Sequence, residues 1–172
     1  ERLGLTIFCT AQNKHKISTK VRLGIGIAPF AAHRGKIYPL ERMEEVVRML
    51  SEKGEQVVLF GGGKREQEIL ESWAKKYKGV ESVAGKYSLA EELEIMRGLR
   101  VLVSMDSANM HLASLVGTRV VSIWGATHPY AGFMGIGQNE KDCVQRDLEC
   151  RPCSVYGNKE CKYGNYRCMD IK

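Results

Sequence analysis

The sequence predicts an α/β domain built on a Rossmann-like parallel sheet with helices on both faces. Two observations carry this expectation. Short continuous apolar runs recur at 56–60, 101–105 and 119–124, the pattern of strands buried on both faces of a parallel sheet. Between them lie segments whose apolar residues repeat at helical spacing, and strand–helix alternation of this length implies right-handed crossovers.

The elements follow in order. Residues 1–20 are polar and lack sustained periodicity, so they read as a linker or the edge of a neighbouring domain. A strand is expected over 21–28, then a loop through Pro29, His33 and Gly35 to Pro39. Pro39 suits the first turn of a helix, whose residues Leu40, Met43, Val46, Val47 and Leu50 share one face until Gly54 ends it. After the run at 56–60, Gly61, Gly62 and Gly63 make a turn, and a second helix presents Ile69, Leu70, Trp73, Ala74 and Tyr77 to the sheet. A short strand near Val83 precedes Ser88-Leu89-Ala90-Glu91, a capping box in which serine and glutamate satisfy orphan amides reciprocally. The strand at 101–105 runs into a fourth helix that starts at Asp106 and stops at Gly117. Helical spacing turns Ala108, Leu112 and Leu115 to the core and puts Ser107, His111 and Ser114 on one face. The run at 119–124 is the last clear strand. The domain is expected to cover 21–145, with 146–172 as a cysteine-rich tail packed on it.

An apolar fraction of 44% with 27% charged residues belongs to a soluble globular chain and excludes a disordered one. No apolar run is long enough to cross a bilayer, and no secretory signal precedes the first strand. The chain opens at Glu1, which reads as a piece of something longer. A net charge of +6 admits nucleic acid, an anionic membrane or a phosphorylated small molecule. Arg22, Arg34, Lys36, Lys64 and Arg65 are scattered near strand ends, which favours a phosphate-bearing ligand, and no groove-reading motif speaks for nucleic acid.

Five of the six cysteines fall between Cys143 and Cys168, as an appendix to a well-cored region. That arrangement reads as reduced thiols or metal ligands of a cytoplasmic protein, not as a secreted disulfide framework. Cys150, Cys153, Cys161 and Cys168 could hold a structural zinc tetrahedrally, although only one CxxC pair is present. A compact loop of partly buried, reduced thiols is the alternative.

In an open parallel sheet, ligands bind beyond the carboxyl ends of the strands. Four segments meet that description: 29–36, the glycines at 61–63, 84–88 and 106–111. The last joins a buried strand directly to a helix whose free amides suit a phosphate, and His111 one turn inside could donate to the same ligand. Equally, Asp106 and Ser107 could simply cap the helix while His111 bonds locally. Lys36 could neutralise a diphosphate or sit solvated at the surface, and spacing alone does not separate the two. Gly61-Gly62-Gly63-Lys64-Arg65 is no P-loop, because the glycines are too close and Arg65 stands where serine or threonine is required. Gly24-Ile25-Gly26 is a poor dinucleotide fingerprint, with Pro29 where the third glycine should be.

Taken together and in order, these segments resemble the C-terminal domain of glycosyltransferase family 9, the ADP-heptose:lipopolysaccharide heptosyltransferases. The resemblance runs from about Val21 to the end. It rests on Ala28-Pro29 with Lys36-Ile37-Tyr38-Pro39, Val58-Leu59-Phe60-Gly61-Gly62, and Ala84-Gly85 with Ser88-Leu89. Asp106-Ser107-Ala108-Asn109-Met110-His111-Leu112-Ala113, Ile123-Trp124-Gly125-Ala126-Thr127-His128-Pro129 and the Cys150-Arg151-Pro152-Cys153 tail complete it.

The resemblance implies the C-terminal half of a GT-B fold, with a nucleotide-sugar donor, ADP-heptose, held in this domain. It implies inverting transfer, without a required cofactor, to a lipopolysaccharide or related glycan acceptor. The catalytic base and the glycan or glycolipid contacts would come from an N-terminal domain, so this chain alone would bind donor without turning over. The enzyme is then expected in the cytoplasm at the inner face of the inner membrane, with peripheral membrane association. Carried over by position, Lys36, Ala31, Ala32, Asp106, Ser107, Ala108, Asn109 and His111 would surround the donor phosphates and sugar. Glu66, Gly61, Gly85 and Met105 would line the nucleoside pocket. Two departures stand out: alanines at 31 and 32 where hydroxyl residues are common, and Ala108 where glycine is common. The same pattern would also serve another GT-B sugar-nucleotide enzyme such as an epimerase, or a non-enzymatic Rossmann-like binding module.

Overall fold

The computed structural model describes residues 24–171. The expected linker at 1–20, Arg22 and the first residues of the strand at 21–28 lie outside them. Among the described residues, six parallel strands form one sheet in the order β3-β2-β1-β4-β5-β6. In chain order the elements are β1 (Ile25–Ala28), α1 (Leu40–Glu52), β2 (Val57–Leu59), α2 (Lys64–Lys76) and β3 (Val80–Ser82). They continue with α3 (Leu89–Arg97), β4 (Val101–Met105), α4 (Ala108–Leu115), β5 (Val120–Trp124) and β6 (Cys143–Gln145).

The strands are apolar throughout because both faces are covered. Ile25, Ile27, Val57 and Leu59 point to a core layer shared with Met43 and Val47 of α1 and with Leu70 and Trp73 of α2. Their neighbours Ala28, Val58, Phe60 and Leu102 point the other way, against Ile95 and Met96 of α3 and Met110 and Ala113 of α4. This is the period of two expected of a strand. The close approach of the second layer needs Gly26, where a methyl group would lie 2.6 Å from the ends of both Leu99 and Leu102. The capping box opens α3 as expected: the Ser88 amide donates to Glu91 Oε2 at 2.8 Å, and the Glu91 amide donates back to Ser88 Oγ at 3.4 Å.

Three sequence-based expectations need correction. The face of α4 in the core carries Met110 and Ala113, whereas Ala108 and Leu115 are exposed and Leu112 is only half-buried. The run at 119–124 is not the last strand, since Cys143–Gln145 adds β6 parallel to β5. The helix begins at Ala108, with Ser107 in the capping position but making no side-chain cap bond, so Asp106 and Ser107 are not spent on capping.

The tail returns to the sheet. Cys168 and Met169 are buried in the layer under α1 and α2. The Tyr38 hydroxyl donates to the Ile171 carbonyl at 2.9 Å, and Arg42 reaches Asp170 at 2.6 Å. Arg151 donates to the carbonyls of Gly125, Arg146 and Thr127, and to Gln145 Oε1 at 3.0 Å. One guanidinium thereby joins the ends of β5 and β6 to the tail.

Candidate functional site

The strand order reverses direction of progress between β1 and β4, and at such a switch point the loops leaving adjacent strands part to leave a crevice. A cleft of about 400 Å³ opens there. The loop after β1 supplies Phe30, Ala31, Ala32 and Lys36, and the β4–α4 junction supplies Asp106, Ser107, Ala108, Asn109 and His111. Glu66 of α2 closes one side, and Phe133, Val155 and Tyr156 close another.

At its centre Lys36 Nζ lies 2.9 Å from Asp106 Oδ2, with the lysine side chain 16% exposed and the aspartate 4%. Thr127 Oγ1 donates to the same Asp106 oxygen at 2.7 Å. Both partners therefore converge on Oδ2, and Oδ1 has no protein donor among the described residues. An ammonium has three donors, so Lys36 keeps two for an incoming ligand. Beside the pair, the amides of Ala108 and Asn109 at the start of α4 take no protein acceptor among the described residues. Free amides at a helix start carry a partial positive charge of about half a unit. The cleft thus presents an ammonium and a helix N-terminus to one volume, which is the chemistry of an anionic oxygen cluster such as a phosphate.

Glu66 is oriented by the glycine turn, for the Gly62 amide donates to its Oε2 at 2.7 Å. The Phe133 and Tyr156 rings stack at 5.8 Å with a 52° tilt, giving the cleft an aromatic wall.

Nine of the residues singled out from the sequence thus line a single cleft: Ala31, Ala32, Lys36, Glu66, Asp106, Ser107, Ala108, Asn109 and His111. Three do not. Met105 is fully buried, and its sulfur accepts from the Tyr38 amide at 3.3 Å. Gly85 packs on the Gln67 side chain, and Gly61 lies behind Glu66 and Leu70. Phe30, Phe133, Val155 and Tyr156 were missed. Phe30 follows directly on β1 and was within reach of the strand-end argument, whereas no spacing shows that the tail folds back to the cleft.

The zinc ligand set is not assembled. Among the described residues no group of three or more His, Cys, Asp and Glu side chains is arranged to hold a metal. The thiols serve packing and local bonding instead: Cys168 is buried in the core, and Cys153 Sγ donates to the Cys150 carbonyl at 3.0 Å. All five described cysteines are free. Burial pushes the Cys153 and Cys168 thiols up, while backbone hydrogen bonds from Tyr163 and Tyr166 hold Cys161 below the ordinary value.

A parallel sheet in this strand order, with its cleft at the switch point, defines a Rossmann-like α/β domain. The profile of glycosyltransferase family 9 (heptosyltransferase) matches residues 5–164, and the chain belongs to that family. It is 29% identical over 128 residues to lipopolysaccharide heptosyltransferase 1 of Pseudomonas aeruginosa, covering 74% of this chain and 34% of that protein. It is also similar in structure to E. coli heptosyltransferase WaaC with ADP, at a TM-score of 0.63 and 22% identity, over 75% of this chain and 39% of that one. WaaC with ADP-2-deoxy-2-fluoro heptose gives a TM-score of 0.62 at 20% identity, over 86% and 40% of the two chains. The chain therefore spans about a third of the length of the curated relative it matches. The parallel α/β fold is as expected, and these solved heptosyltransferases share it over the part of their chains that is matched.

Proposed function

We propose that this chain is the donor-binding domain of an inverting glycosyltransferase that takes heptose from ADP-heptose to a lipopolysaccharide or related glycan acceptor. The observation that carries the reading is the Lys36–Asp106 pair, 2.9 Å apart, set against the open amides of α4. The named relatives and the two WaaC complexes support ADP-heptose as the donor.

In this reading Lys36 Nζ and the Ala108 and Asn109 amides receive the diphosphate. Asp106, whose Oδ1 is unengaged, accepts from a hydroxyl of the sugar, and His111 borders the same volume. Transfer breaks the bond between the anomeric carbon and the phosphate oxygen while an acceptor hydroxyl forms the new bond from the opposite face. Negative charge grows on the departing diphosphate, where a fixed ammonium and fixed amide dipoles stabilise it without reorganising. The proton of the acceptor hydroxyl goes to a base that the reading assigns to an N-terminal domain. Glu66 faces the nucleoside. Residues 21–145 form the donor-binding domain and 146–172 its tail; the enzyme works in the cytoplasm at the inner face of the inner membrane.

Calorimetric titration with ADP, UDP and GDP tests the reading. Selective binding of ADP, weakened by Lys36→Ala, is the expected result. A preference for UDP or GDP would remove the heptose assignment, and binding indifferent to Lys36 would remove the phosphate site.

A further inference from the structure

The stem of Lys36 runs along a turn that belongs to the cysteine-bearing tail. A methyl group placed on Gly157 would lie 2.8 Å from Lys36 Cγ, 3.0 Å from Cε and 3.1 Å from Cδ. The bare backbone of Gly157 therefore forms a slot that only a residue without a side chain leaves open. Gly157 also has φ +75°, in the left-handed region that favours glycine.

The turn is fixed from within and tied to the sheet. The buried Gly157 amide donates to Ser154 Oγ at 3.0 Å, and Ser154 Oγ donates to Asn158 Oδ1 at 2.7 Å. One residue earlier, the Cys153 amide donates to the Ala126 carbonyl at 2.8 Å, and the Ala126 amide donates to the Gly35 carbonyl at 2.8 Å. The tail, the end of β5 and the loop carrying Lys36 are thus joined in sequence by backbone bonds. Val155 and Tyr156 of the same turn line the cleft.

We propose that the 154–158 turn positions the donor-phosphate lysine, with Gly157 as a positioning residue that acts through Lys36. A lysine stem has four rotatable bonds, and ordering it on binding costs affinity unless the protein has already ordered it. The Gly157 slot aims Nζ at Asp106 and at the ligand volume before the ligand arrives. The inference rests on the reading of Lys36 as a phosphate ligand.

The test is a double-mutant cycle on the full chain, with ADP binding measured for wild type, Gly157→Ala, Lys36→Ala and the double variant. Gly157→Ala is expected to weaken ADP binding by about tenfold in the wild-type background and negligibly once Lys36 is gone. An equal loss in both backgrounds would overturn the inference while leaving the phosphate reading intact. If Lys36→Ala alone leaves ADP binding unchanged, the phosphate reading falls and the inference with it. Ser154→Ala loosens the turn without adding bulk, and the same cycle on it decides the matter should Gly157→Ala fail to fold. Adenosine serves as control: its affinity stays constant if the turn acts on Lys36, and falls in parallel with ADP if the damage is general.

Discussion

Asp106 and Thr127 meet at 2.7 Å although they leave different strands, β4 and β5, and both side chains are buried. The hydroxyl of Thr127 and the ammonium of Lys36 share one oxygen of that carboxylate, and the other has no protein donor among the described residues. A diphosphate received by Lys36 in the proposed reading would share that ammonium with the Asp106 carboxylate.

Neutralising that carboxylate should separate the two halves of the donor. Asp106→Asn removes the anion competing for Lys36, so binding of ADP is expected to hold or tighten severalfold. Donor carrying the sugar is expected to lose the contact made by Asp106 and to bind more weakly. Calorimetry with ADP and with the sugar donor checks both arms. Lys36→Ala should cost ADP about 1.5–3 kcal/mol, the usual worth of a hydrogen bond to a charged group.

Thiol reactivity should follow the local environments of the tail. Cys161 has a lowered pKa from the Tyr163 and Tyr166 backbone, whereas burial raises Cys153 and Cys168. The thiolate is the reacting form. Brief alkylation near pH 7, read by peptide mass spectrometry, is expected to label Cys161 before Cys153, and Cys168 only on unfolding.

Arg151 is expected to matter for stability more than any exposed ion pair. Its guanidinium donates to three backbone carbonyls that join β5, β6 and the tail. Arg151→Ala leaves these acceptors without their donor, at a cost of about 1–3 kcal/mol. Arg151→Lys keeps charge but loses the planar fork, so it should recover only part of that loss. Urea denaturation measures both.

His128 gives the fold an acid-sensitive point. Its Nδ1 accepts from the Tyr130 amide at 3.1 Å, and burial, aided by nearby Arg151, lowers its pKa from 6.5. The unfolded chain thus takes up this proton at higher pH than the folded one. The stabilisation is present above about pH 6.5 and is lost as pH falls toward the lower folded value. Denaturation midpoints at pH 7.5 and 5.5 should diverge more for wild type than for His128→Gln.

The sequence made most of this architecture legible where apolar runs were long and continuous. Val101–Met105 is a strand with the bounds expected, because five apolar or small residues in a row leave little choice. α4 was misread on its buried face for the opposite reason. Its eight residues carry alanine, methionine and leucine on nearly every side, so periodicity does not select one face. Packing against α3 selects Met110 and Ala113. β6 escaped notice because three residues beginning with a cysteine form no apolar run. The cleft was readable from strand ends, which a parallel sheet brings together by rule. Tyr156 was not, because its place depends on the Cys153 and Gly157 backbone bonds of the tail, which leave no mark in composition.

The return of the tail also bears on how the chain acquires its site during synthesis. Tyr38 and Ile171 are bonded across 133 positions, and the Lys36 slot likewise waits for Gly157. Contacts so distant in sequence form late, after local helices and the earlier strands have condensed. A ribosome-bound chain could thus complete β1 through β5 and still lack the wall that orders its lysine. Ligand capture becomes the last property to mature, so a pulse-labelled nascent chain should gain protease resistance before it gains retention on an immobilised nucleotide.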